Sequence, residues 1–269
     1  MHLFGAELKH ALWNRRFVFV ILLGLLVLSY SAYKSLEGYL FLKPGPDITP
    51  QGVALLQEAN IERYKAWFYG MDYYGFLSPL LATLAYAGSY RSDVQTGFVK
   101  FVLQRTKRWR YIWTKVWVAM IVGALSTGLP LLLFSALLRL SLKGRVTNPM
   151  PMAPSGPFSE LYHSIPDLYI GFTIGMLFIF GAVYGALGLA FSAVFSNRLL
   201  AIVAPLIFLF AGTILCDSFG LYRLEPAVAN SFYQLPFAHL TDIFAHDAVI
   251  LLGSLFVFLI VARRELYTL

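Results

Sequence analysis

The sequence predicts an all-α polytopic membrane protein with six transmembrane helices. Three observations carry this prediction. Of 269 residues, 58% are hydrophobic and only 13% charged, with mean hydropathy +0.67, which excludes an ordinary soluble domain. Six stretches are apolar over lengths that suit a hydrocarbon core of roughly 30 Å, which takes about 20 helical residues to cross. Between the second and third of them, residues 90–115 carry seven Lys or Arg against one acid, Asp93.

Residues 1–16 form an amphipathic approach to the membrane. Leu3, Leu8, Leu12 and Trp13 fall along one helical face, while Lys9, Arg15 and Arg16 meet headgroups, the pattern of an interfacial elbow helix. The first span follows over about 17–36 and carries no charge before Lys34. Without a small-residue cleavage site after a short apolar core, this run reads as a retained span, not a signal peptide.

Residues 37–73 are too polar to span. Thr49 before Pro50 marks a helix start, and Ile61, Tyr64, Phe68 and Met71 recur at helical spacing, so an amphipathic helix on the outer surface is expected there. The second span covers about 74–90. After the basic loop, the third runs over about 116–138, with Gly128 and Pro130 marking a kink. Residues 139–168, with Pro149, Pro151, Pro154, Pro157 and Pro166, read as a loop holding at most one short helix near 159–164.

The fourth span, about 169–195, carries Gly171, Gly175, Gly181, Gly185 and Gly188. Two Gly-x-x-x-Gly pairs among them predict close helix packing. Only residues 196–198 separate it from the fifth, about 199–216, so the two are antiparallel neighbours. Residues 217–246 suit short helices that dip into the outer leaflet without crossing, and the sixth span occupies about 243–262.

Charge then orients the bundle. With six spans, both termini and the central loop share one face, which holds 13 of the 21 Lys and Arg and only Glu7, Asp93 and Glu265 as acids. The positive-inside rule makes that face cytoplasmic. The same rule accounts for the net charge of +7 without nucleic acid as a partner.

No phosphate-cradling Gly-x-x-x-x-Gly-Lys-Ser/Thr run, His-Glu-x-x-His or Gly-x-Ser-x-Gly occurs, and the single Cys216 allows no internal disulfide. No catalytic, cofactor-binding or metal-ligating set is assigned. His239, Asp242, His246 and Asp247 could share a helical face, but they read better as the polar cap of the sixth span at the outer interface. With the spans otherwise almost free of ionisable groups, an intramembrane enzyme or ion-driven carrier is disfavoured and the energy source is expected in a partner.

The segment 92–115, with Asp93, Thr96, Gly97, Leu103, Arg105, Arg108 and Lys115, resembles the loop after the second span in permease subunits of ATP-binding-cassette transporters of the type-2 exporter family. It departs from that pattern in the order Thr96 then Gly97, and in having Thr106, Lys107 and Arg108 where Pro and Ser are common. Residues 188–197 are similar to that family's exit from the fourth helix, and Leu235, Pro236, His239 and Leu240 to its segment before the sixth.

The resemblance implies a cytoplasmic coupling helix within about 91–103, docked in a cleft of a separate ATPase subunit and flanked by the elbow helix (Leu8, Leu12, Trp13, Arg15, Arg16). ATP and magnesium would be bound by that partner and none by this chain, and a second permease copy or a paralogue would complete the transporter. Val94, Phe98, Phe101 and Val102 would be the apolar anchors, with Gly97 beside them and Asp93 and Lys100 forming rim pairs. Residues 105–115 would mainly hold the third span on the cytoplasmic side. The substrate would be a peptide, lipid or drug. A different class, a membrane sensor or immunity protein binding a peptide through its outer segments, is the alternative.

Overall fold

The structure is a computed structural model, and it describes residues 2–46, 48–144 and 154–268. Within them the chain is helical, apart from an isolated bridge between Gly45 and Ile48. In order, the helices are α1 (His2–Leu12), α2 (Arg15–Leu40), α3 (Pro50–Asn60), α4 (Arg63–Leu84), α5 (Ser89–Gln95), α6 (Phe98–Arg105) and α7 (Arg108–Ser141). They continue as α8 (Ser159–Ser164), α9 (Pro166–Val194), α10 (Arg198–Ser218), α11 (Val228–Ser231) and α12 (Leu240–Thr268), with 3-10 turns at Tyr222–Leu224 and Phe232–Gln234. Helices α2, α7, α9, α10 and α12 are long and apolar enough to cross a membrane, which makes this a helical, multi-pass membrane-embedded protein.

Where the second span was expected over 74–90, α4 begins eleven residues earlier and ends at Leu84, so residues 85–90 belong to a turn and to α5. Its start is fixed by Glu62, whose carboxylate accepts from the backbone N–H groups of Tyr64 and Lys65 at 3.2 and 3.0 Å. Tyr64, Phe68 and Met71 are therefore core residues of α4, not the face of a surface helix. The surface helix is α3 instead, capped at Thr49 as its sequence signal indicates, with Thr49 Oγ1 accepting from Gly52 N at 3.1 Å. The short helix expected near 159–164 is α8, whereas Pro149 and Pro151 lie outside the described residues.

The bundle is organised around α9, the most buried of the five long helices. Close approach to α7 depends on glycine: a Cβ on Gly181 would meet Gly123 O at 2.6 Å, and one on Gly185 would meet Ala119 O at 2.4 Å. Gly188 packs against Thr83 and Ala87. The other expected packing pair behaves differently, since Gly171 and Gly175 are exposed and nothing lies within 4 Å of where their Cβ atoms would be. Gly123, on the opposing helix, is the partner that a pattern read on α9 alone does not reveal.

Three helices contain an internal proline, and a neighbouring side chain donates to a carbonyl in the turn before each. A helical proline leaves carbonyls of the preceding turn without a partner, which is costly in a setting without water. In α7, Tyr74 OH donates to Thr127 O, three residues before Pro130, at 2.5 Å. In α10, Thr83 Oγ1 donates to Ile202 O, three before Pro205, at 2.8 Å. In α4, Asn230 Nδ2 donates to Gly75 O, four before Pro79, at 2.7 Å. The last bond also explains why the segment after α10 folds back into the bundle, burying Asn230, Phe232 and Tyr233.

Candidate functional site

The basic segment folds as two short helices, not one. Gly97 separates α5 from α6 with φ 71°, a left-handed conformation that favours glycine, so this position lets the chain turn between them. α6 then packs inward through Val99, which is fully buried, with Val102 and Leu103 beside it. Phe98 and Phe101 point the other way, at 51% and 66% exposure, as does the exposed Lys100. Of the four expected apolar anchors, Phe98 and Phe101 face outward, while Val94 and Val102 pack against the core.

Asp93 does not lie on an outer rim. Its Oδ2 accepts from Tyr111 OH at 2.8 Å and sits 2.8 Å from Lys115 Nζ, and the same ammonium lies 2.5 Å from Glu7 Oε1. Tyr86 OH donates to the same Glu7 oxygen at 2.6 Å. The rings of Tyr86 and Tyr111 flank the ammonium, with centroids 5.4 and 5.6 Å away. Lys115 thus lies in the interior, 1% exposed, where an anchoring role at the membrane surface had been expected. Together these five side chains tie α1, the turn after α4, α5 and α7 into one polar network.

Burial by itself would raise the Glu7 carboxyl, but the adjacent ammonium and the hydrogen bonds from Lys115 and Tyr86 outweigh it, and the group is held below its ordinary value. Glu7 is therefore a carboxylate at neutral pH. Burial and the neighbouring Glu7 push the Tyr86 phenol upward, so it remains a donor.

α5 makes two further attachments. Tyr90 OH donates to Glu265 at 2.9 Å and Arg91 pairs with the same carboxylate at 2.9 Å, which joins α5 to the end of α12. Gln95 Nε2 donates to Ser196 O at 2.8 Å, joining it to the turn between α9 and α10. The elements at both ends of the chain and three helix connections thus meet at one end of the bundle.

The elbow residues divide between two environments. Leu8 and Leu12 pack against the core around Ala11, whereas Trp13, expected on that same face, is 84% exposed. Arg15 and Arg16 are exposed at the start of α2, whose cap is Asn14 accepting from Arg16 N at 3.1 Å. Between α1, α5, α6 and the start of α10 lies a cavity of about 710 Å³, and Glu7, Asp93 and Lys115 form part of its wall. Phe98 and Phe101 line it on the α6 side.

Asp247 also departs from expectation. It is 4% exposed on α12, so it faces the interior of the bundle, and its Oδ1 has no hydrogen-bond partner among the described residues. Lys65 and Lys115, which the sequence places outside the spans, are buried as well. No cluster of three or more His, Cys, Asp or Glu suited to a metal ion occurs among the described residues.

Sequence inspection found Asp93, Phe98 and Phe101 but missed what holds them: Glu7, Tyr86, Tyr111, Val99 and Glu265. The available signal was Glu7, an isolated acid in a basic N-terminal segment. Comparison with protein-family models, curated proteins and solved structures finds no match to this chain.

Proposed function

We propose that this chain is the permease subunit of an ATP-binding-cassette exporter of the type-2 kind, moving or extracting a peptide, lipid or drug with ATP hydrolysed, with magnesium, by a separate subunit. In this reading α4 is the second of six spans, α1 is the interfacial elbow, and both termini lie in the cytoplasm, as the positive charge at the α5 end suggests. The permease works as a pair, with a second copy or a paralogue.

One observation carries the reading. α6 presents two outward phenylalanines, Phe98 and Phe101, and packs inward through Val99, while α5, joined to it at Gly97, is tied into the bundle by Asp93 to Lys115, Arg91 to Glu265 and Gln95 to Ser196. A push on α6 would pass through Val99 and the Gly97 junction to α5, whose short polar contacts reach α1, α7, α12 and the turn between α9 and α10. Exposed aromatic anchors backed by a rigid mount suit a docking element.

The test is capture of an ATPase by the detergent-extracted full chain from its native membrane. Capture is expected, with loss in Phe98→Asp and Phe101→Asp variants that insert and melt like the parent, since both rings are exposed. Capture that ignores both substitutions would overturn the docking role. Capture of no ATPase would turn the reading toward a nucleotide-independent sensor.

A further inference from the structure

The cavity beside α1 is lined by charges of both signs. Glu7 and Asp93 supply two negative charges to the single positive charge of Lys115. Each carboxylate spends one oxygen inside the network: Glu7 Oε1 takes Lys115 and Tyr86, and Asp93 Oδ2 takes Lys115 and Tyr111. Among the described residues Glu7 Oε2 and Asp93 Oδ1 accept nothing, and both side chains keep accessible area, 18% and 17%. The lining also includes Arg16 and Arg198, whose guanidinium groups make no ion pair or hydrogen bond among the described residues.

Arg16 and Arg198 stand in the first turns of α2 and α10, where Asn14 and Asn197 cap the helices and fix the chain entry. Arg198 also lies against Gly88, at which a Cβ would meet its Cγ at 2.7 Å. The rest of the lining is mixed, with Leu3, Leu84, Ile202 and the two phenylalanines beside polar residues such as His10, Ser89 and Ser92. At about 710 Å³ the space falls within the roughly 300–1,000 Å³ of small-molecule sites.

We propose that this cavity binds the headgroup of a zwitterionic phospholipid bearing a primary ammonium, of the phosphoethanolamine type, from the leaflet at the α5 end of the bundle. A plain anion would be drawn to the arginines but repelled by the open carboxylate oxygens, and a plain cation would meet the reverse. A headgroup with both charges satisfies both sets of residues, phosphate on Arg16 and Arg198 and ammonium on Glu7 and Asp93. The carboxylate oxygens call for N–H donors; a primary ammonium has three, as lysine does, and a quaternary ammonium has none. The acyl chains can follow α2 and α10, whose Val18, Leu22, Leu199 and Val203 are exposed. The inference needs the membrane embedding of the bundle but not the ATPase.

The test is native mass spectrometry of the delipidated full chain offered phosphatidylethanolamine, its N,N-dimethyl derivative, phosphatidylcholine or phosphatidylglycerol in detergent. Retention of phosphatidylethanolamine should exceed that of phosphatidylcholine by about tenfold or more, the size of one lost hydrogen bond to a charged group. The dimethyl lipid should fall between them. The double variant Arg16→Gln, Arg198→Gln should lose phosphatidylethanolamine about tenfold while melting as the parent does without lipid.

Equal retention of all headgroups, or retention indifferent to the arginine pair, overturns the proposal. Preference for phosphatidylglycerol would reduce the site to a cationic patch, and displacement by free O-phosphoethanolamine would assign it to a soluble solute. A captured ATPase subunit that fills the cavity and leaves no lipid bound would overturn it too, while sparing the function proposed above.

Discussion

The two ends of the bundle are held together by different physics. At the α5 end the contacts are directional and charged: a buried ammonium between two carboxylates, two tyrosine donors and an Arg91–Glu265 pair. At the other end aromatic rings do most of the packing. Phe68 lies against Trp67, Tyr162, Tyr169 and Tyr233 with centroids 5.0 to 6.3 Å apart. Ion pairs exist there also, between Asp167 and both Arg63 and Arg139, but Asp167 and Arg139 are 41% and 56% exposed.

The difference matters because the two kinds of contact fail in different ways. Ring packing is short-ranged and close to all-or-none, which suits a fixed anchor. A charged network has a few discrete bonds that a partner, a headgroup or a proton can exchange, which suits an end that must respond. The cavity of about 710 Å³ lies at the responsive end.

Removing the centre of each end gives the largest effects and the sharpest contrast. Lys115→Met should cost about 3–5 kcal/mol, because two partly buried carboxylates lose their counter-charge. Phe68→Ala should cost a similar amount, about 3–5 kcal/mol, by opening a cavity. Thermal melts in detergent then separate the mechanisms: adding Glu7→Gln and Asp93→Asn should restore much of the stability lost in Lys115→Met and none of that lost in Phe68→Ala. Rescue of both, or of neither, would break the comparison.

Acidification should act next, and on one end first. The Glu7 carboxyl is lowered in the folded protein, so its contribution is fully present above the ordinary value of 4.5 and is lost as pH falls below it toward the folded value. Hydrogen exchange should therefore rise in α1 and α5 as pH drops below about 4.5, ahead of the start of α4 and α9, after correction for intrinsic exchange rates. Equal loosening at both ends would contradict this.

The smallest effect is expected at the exposed pair. Arg139→Gln should change stability by at most about 1 kcal/mol, since surface ion pairs contribute little and Asp167 keeps Arg63 at 3.2 Å. A larger loss in the same melt would mean that the aromatic end also depends on charge.

Composition, apolar length and cap chemistry are local properties, and they were enough to read the helical membrane class, the helix start at Thr49, the short α8 and the tight turn between α9 and α10. They also drew attention to Phe98 and Phe101, because α6 is amphipathic over its own length. Partners in other elements were not legible. Whether Gly185 packs and Gly171 does not depends on which helix α7 lies beside, and a period read on α9 cannot supply that. Lys115 looked like one more basic residue of a membrane-facing loop until Glu7, 108 residues away, and Asp93 came to its side. The physical reason is range: hydrophobic periodicity and capping act within a few residues, whereas the pairing of buried charges is decided by which helices meet. Sequence alone determined that this chain is a bundle of membrane helices with a basic, aromatic-bearing segment, and only the tertiary structure decided that Phe98 and Phe101, not Val94 and Val102, face outward, beside a cavity lined by a buried Lys115 between two partly buried acids.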